Sequence, residues 1–169
     1  MVHPVVKWGK EVLEKKAAPV TQFDKELAKL IEDMFESMYA AQGVGLAAPQ
    51  IGISKRIAVI DITFAKDPKA KLVLINPEVI AMEGRQREEE GCLSVPGFRE
   101  TINRPAKATV RALDAKGKEF TMSGEGLLAR AFCHETDHLN GKLFLSHMSA
   151  LKRDLILRKI RKKIKADEW

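Results

Sequence analysis

The chain predicts an α+β fold, with antiparallel strands packed around a central His-Glu-x-x-His helix, an amphipathic helix before them and a basic helix after them. Three observations carry the prediction. Residues 24–43 hold apolar side chains at helical spacing, the middle of the chain shifts to β-branched runs broken by turn residues, and the segments after Gly126 and Ser149 return to helical spacing. At 169 residues, 45% hydrophobic and 31% charged, the chain suits one folded domain with a single sizeable core and excludes a disordered polyelectrolyte.

The first helix is read in "DKELAKLIEDMFESMYAAQG". Leu27, Leu30, Ile31, Met34, Phe35, Met38 and Tyr39 recur at i, i+3, i+4, i+7, i+8, i+11 and i+12, one apolar face of a long helix. It should begin near Asp24 and stop by Gly43, where a glycine can take the left-handed conformation that ends helices. "RIAVIDI" and "KLVLINPEVIAME" are β-branched, and Asn76-Pro77 should break the second run into two short strands. "ATVRALDAKGKEFTMS" predicts a hairpin turning at Asp114–Gly117. "LLARAFCHETDHLN" predicts a helix ending at Gly141, and "ALKRDLILRKIRKKIKADEW" a helix capped by Ser149. The expected organisation is a catalytic body over residues 1–148 and a basic helix over 149–169 packed on or projecting from it.

Net charge is +6, yet residues 150–169 hold eight Lys/Arg against three Asp/Glu, so the basicity belongs to this last helix. Its isoleucines at 156, 160 and 164 form a narrow apolar stripe. That pattern fits a helix seated on the domain, a membrane-surface helix or an RNA-binding helix. No apolar stretch approaches the roughly 20 residues that span a bilayer, and the start lacks the pattern of a secretory signal, so a cytoplasmic protein is expected. The two cysteines, Cys92 and Cys133, then read as core thiols, reactive thiols or metal ligands, with no disulfide framework.

"CHETDHLNG" carries the chemistry. On a helix His134 and His138 lie one turn apart on one face, so two imidazoles can meet one divalent cation. Glu135 sits beside them, suited to accept a proton from water held on the metal. A catalytic site of this kind needs a third protein ligand and one free position. His147 lies beyond the helix stop, and Phe144 occupies the place where a metzincin pattern would need histidine. Cys92, in "EEEGCLSVPG", has polar, glycine-containing flanks typical of a turn approaching a site. On the residues alone it is either that third ligand or a buried unreactive thiol. Cys133 points about 100° away from His134 and reads as core or as support for the ligands.

Three stretches taken together, "GVGLAAPQ" at 43–50, "EGCLS" at 90–94 and "HETDHLNG" at 134–141, resemble the three signature motifs of the bacterial-type peptide deformylases, in the same order. The resemblance implies a cytoplasmic metal-dependent hydrolase of protein biosynthesis. Its reaction would be removal of the formyl group from the N-terminal formylmethionine of nascent polypeptides, with release of formate. It implies Cys92, His134 and His138 as ligands of one divalent ion, Fe(II) in the cell with Zn(II), Ni(II) or Co(II) as substitutes. Glu135 would be the general acid/base, and Gln50 with the backbone N–H of Leu93 the oxyanion site. Gly45, Val44 and Leu127 would contact substrate, while Glu88 and Arg130 stand where many relatives carry apolar residues. Asp137 and Glu90 are candidate acceptors orienting the ligands. The partners implied are the formyl-Met nascent peptide and, through the C-terminal helix, the ribosome and its RNA, with no DNA and no membrane span. A general metallopeptidase shares the His-Glu-x-x-His segment but has no use for the other two motifs. A basic RNA-binding module with a structural metal would need a fourth protein ligand.

Overall fold

The computed structural model describes residues 1–169. Three helices, α1 (Lys25–Ala40), α2 (Leu127–Leu139) and α3 (Ala150–Lys165), surround two antiparallel sheets, an α+β architecture. The larger sheet contains β1 (Gly45–Ala47), β2 (Ile57–Ile60), β3 (Leu72–Glu83), β6 (Lys107–Leu113) and β7 (Glu119–Glu125) in the order β1-β2-β3-β6-β7. The smaller is a ribbon of β4 (Gln86–Gly91) and β5 (Arg99–Arg104).

Asp24 starts α1 by accepting the Leu27 N–H at 3.0 Å. The buried face of α1, Leu27, Ile31, Met34, Phe35 and Met38, packs on Leu46, Ile57, Val59 and Ile75. Ala129, Ala131, Phe132, Cys133 and Leu139 of α2 pack with Ala58, Ile60, Leu74 and Val110. Successive β2 side chains therefore feed two separate cores, and every residue of this strand is buried. That explains why "IAVI" is apolar without alternation, as in sheets covered on both faces. A third apolar cluster joins α3, through Ile156 and Ile160, to Val95, Ile102, Phe144 and Met148. Ile164, the last member of the predicted stripe, is exposed. No helix is long and apolar enough to cross a membrane.

Three local expectations are corrected. Asn76-Pro77 does not split its run, because β3 is continuous and absorbs both residues in a bulge where the register passes from Ile75/Leu113 to Glu78/Arg111. Asn76 takes φ 51° there, and its amide exchanges two hydrogen bonds with the Val20 backbone, of 2.9 and 3.0 Å. The left-handed residue closing α1 is Gln42 (φ 58°), while Gly43 donates back to the Met38 carbonyl in a Schellman motif. The segment "EEEGC", read as a turn, lies largely in β4, whose residues are polar because the ribbon buries only Glu90 among them.

Gly141 follows α2 with φ +77°, and a Cβ there would sit 2.6 Å from the Glu14 carbonyl oxygen. Gly141→Ala should lower stability by about 1–3 kcal/mol, read as a reduced urea midpoint with an unchanged m-value.

Candidate metal centre and active site

The Cys92 thiol and the two imidazoles converge. Cys92 Sγ lies 3.4 Å from His138 Nε2, which lies 3.1 Å from His134 Nε2, and the three donor atoms all fall within 4.8 Å of one another. Helix α2 presents the two rings one turn apart, and the segment after β4 delivers the sulfur. One soft and two borderline donors meeting at a point suit a divalent transition metal. Burial, and after it the neighbouring His134 ring, hold His138 below the usual imidazole range, so its lone pair stays free.

The orientation of His134 comes from Glu90, whose Oε2 accepts its Nδ1–H at 2.7 Å. An ionised carboxylate can only accept, so this contact puts a proton on His134 Nδ1 and turns Nε2 toward Cys92 and His138. Burial opposes the charged ring, but the hydrogen bonds to Cys92 and Glu90 outweigh it and hold His134 above the usual imidazole range until a cation takes the place of the Nε2 proton. Burial disfavours the Glu90 charge, but the hydrogen bonds from His134 and Arg104 outweigh it and hold the carboxyl at about 2. Arg104 donates to both Glu90 oxygens, at 3.1 and 2.8 Å, and to Asp137 Oδ2 at 2.8 Å. His147 meets the same Asp137 oxygen at 2.7 Å. Asp137 therefore touches neither ligand ring and acts through Arg104. Cys133 is buried in the α2 core, where burial pushes its thiol up to about 11. It is no part of the donor cluster.

Glu135 is buried, and its Oε1 has no hydrogen-bond partner. Burial pushes its carboxyl up to about 7. Gly45 stands directly against it, since a Cβ at position 45 would fall 2.5 Å from Glu135 Oε2. Gln50 lies in a short 3-10 helix, Ala48–Ile51, that follows β1. Its Oε1 accepts the Ala47 N–H at 3.0 Å, and its Nε2 donates to Ser94 Oγ at 3.1 Å with Cys92 Sγ 3.8 Å away. The amide is thereby fixed with its NH2 end beside the sulfur. The Leu93 N–H donates to no group of the chain.

A cleft of about 780 Å³ opens onto this cluster. Val44, Gly45, Gln50, Cys92, Leu93, Leu127, His134 and Glu135 all line it, so the structure brings together every predicted site residue except the deeper His138. Arg130 lines it as well, donating to Gln86 Oε1 at 2.7 Å, whereas Glu88 is exposed on β4 and does not line the cleft. Arg104 and Ser94 escaped the sequence reading. Nothing local in "NRPAK" marks a buried arginine, while Ser94, two residues after Cys92, lay within a motif already singled out.

Residues 2–154 match the family model described as polypeptide deformylase. The peptide deformylase of Acidobacterium capsulatum is 60% identical over 169 residues, covering 100% of this chain and 99% of that protein. The peptide deformylase of Cellvibrio japonicus is 48% identical over 164 residues, 96% of each chain. Among solved structures, a peptide deformylase from Legionella pneumophila superposes with a TM-score of 0.91 at 49% identity, covering 99% of this chain and 98% of that one.

In metal-stripped protein the raised Glu135 carboxyl binds its proton more tightly folded than unfolded. Its contribution is therefore fully present below about pH 4.5 and is lost as the pH rises through about 7. Urea titrations of metal-stripped protein should show Glu135→Gln gaining on the wild type across that window, by about 3 kcal/mol at pH 8.

Proposed function

The chain belongs to the polypeptide deformylase family, enzymes that remove the formyl group from N-terminal formylmethionine, and we propose that Cys92, His134 and His138 hold its divalent metal ion while Glu135 moves the proton. The convergence of the three donor atoms within 4.8 Å, beside a buried carboxyl, is the observation that supports this most directly. We read Fe(II) as the cellular metal, with Zn(II), Ni(II) or Co(II) as substitutes. A cation so held supplies Lewis-acid polarisation and acidifies water.

The chain's own residues then account for the rest of the reaction. Glu135, held near neutrality by burial, accepts a proton as water adds to the formyl carbon and returns it to the departing α-amine, so that the carboxyl ends as it began. The Gln50 Nε2 N–H and the unengaged Leu93 N–H face the developing oxyanion, each donor contributing about 3–4 kcal/mol. Gln50 is held by Ala47 and Ser94 in advance, so little reorganisation is required at the moment of reaction. The thin wall at Gly45 lets an extended peptide lie close to Glu135, with Val44 and Leu127 lining the place of the methionine side chain.

In this reading α2 is the central element of the fold, α1 the amphipathic support behind the sheet, and residues 149–169 a helix packed on the catalytic body of residues 1–148. The basic face of α3, with exposed Arg158, Lys159, Arg161 and Lys162, is the surface offered to ribosomal RNA, placing the enzyme in the cytoplasm beside emerging chains.

Formate release from a formyl-Met tripeptide should fall at least 10²-fold in Glu135→Gln, with bound metal retained by elemental analysis and no cleavage of the acetylated analogue. Unchanged release would remove Glu135 from the chemistry, and cleavage within the peptide would favour a general peptidase. Because Ile156 and Ile160 are buried, the RNA contact is best probed by charge. Replacing Arg158, Lys159, Arg161 and Lys162 with glutamine should leave tripeptide turnover intact, weaken ribosome cosedimentation and flatten its salt dependence.

A further inference from the structure

The turn after β2 has no role in the chemistry above, yet it holds the most strained backbone near the cleft. Phe64 (φ 52°) and Ala65 (φ 68°) are consecutive non-glycine residues in the left-handed region, each costing about 1–2 kcal/mol. Strain of this kind persists only where the surroundings over-determine it. Here the determinant is Asp61, which is fully buried. Its Oδ1 accepts the Thr63 N–H and hydroxyl at 2.9 and 2.7 Å. Its Oδ2 accepts the Ala65 N–H at 3.0 Å and the hydroxyl of Tyr39 from α1. Its own N–H donates to the Val44 carbonyl at 2.8 Å, tying the turn to the motif strand.

The result of all this anchoring is an aromatic ring kept out of the core. Phe64 is 53% exposed and lines the cleft. Its place along the cleft follows from the register. Gly45, which stands against Glu135, pairs with Ile60, so the chain beyond Ile60 runs alongside Val44 and Gly43, the side of the cleft where Leu93 packs on Gly43. An extended peptide advances about 3.3 Å per residue, and its reacting end must lie at Glu135. Side chains one or two residues beyond the methionine then reach the Phe64 end. β1 is also an edge strand, with its outer side free of any strand partner.

Resting on the deformylase reading, we propose that Phe64 is a specificity residue, a rigidly presented apolar platform for an uncharged, apolar side chain at the first or second position after the formylmethionine. Its contact with substrate lies away from the reacting atoms, so it acts on binding and leaves the chemical step alone.

The test uses full-length metal-loaded enzyme and formyl-Met-X-Y tripeptides in which X and Y are varied in turn among Leu, Phe, Ser and Asp. The wild type should favour Leu or Phe over Ser at one of the two positions. Phe64→Ser should raise KM for those apolar substrates roughly tenfold with kcat unchanged, and should leave the Ser and Asp peptides as they were. Tyr39→Phe, which keeps the ring but removes one tether of Asp61, should raise the same KM values by a smaller factor. Binding of the deformylated products Met-X-Y, followed by calorimetry, should lose the same preference. Equal KM changes across all peptides, a change confined to kcat, or a wild type indifferent to X and Y would each overturn the proposal. No formate release by the wild type from any peptide would instead overturn the deformylase reading on which it rests.

Discussion

The Glu90 carboxylate lies buried where three elements meet: it leaves β4, accepts two bonds from Arg104 of β5 and orients His134 of α2. A charge in such a place is tolerable only if its lone pairs are filled, and removing one partner of a buried pair costs about 3–5 kcal/mol. The ribbon of β4 and β5 has little apolar surface of its own. This polar knot, together with the packing of Val95 and Ile102 on the α3 cluster, holds it against the helix. The Cys92 sulfur follows β4 directly, so the contact that orients one imidazole also sets where the thiol arrives. Structural support and the geometry of the proposed metal centre are one set of bonds.

Around that knot, absence of side chain matters as much as presence. A Cβ at Gly45 would press on the Glu135 carboxyl, with Oε2 at 2.5 Å and the carboxyl carbon at 2.9 Å, and one at Gly43 would push aside the end of the Leu93 side chain, whose Cδ1 would lie 2.7 Å away. The edge strand can thus approach the carboxyl and the Leu93 segment more closely than any other residue type would allow. Burial then raises the Glu135 carboxyl to about 7, the range in which a group can both take and return a proton at neutral pH.

What could be read beforehand follows the range of the forces involved. The apolar face of α1, its Asp24 cap, the Asp114–Gly117 hairpin and the Ser149 cap are local patterns, and each is visible in a few neighbouring residues. Asn76-Pro77 misled because a breaker pair can also make a bulge, and its amide is satisfied by Val20, 56 residues away. Strand β4 was hidden because polar pairing with β5 leaves no alternation to detect. The donor cluster was half legible: the helical spacing of His134 and His138 is local, but the third donor became specific only through the motif around Cys92. Arg104 was beyond reach, since its partners Glu90 and Asp137 are 14 and 33 residues distant.

Strand β2 is sealed on one side by a helix that precedes it and on the other by a helix that begins only at Leu127. While the polypeptide is being made, the α1 face can close early, but Ala58 and Ile60 stay wet until residues up to Leu139 have emerged. The thiol and the far imidazole, 46 positions apart, cannot meet before then. During its own synthesis the molecule therefore passes through an incomplete, one-sided layer, vulnerable to sticking and chemically silent, and assembles its reactive centre only once α2 has emerged.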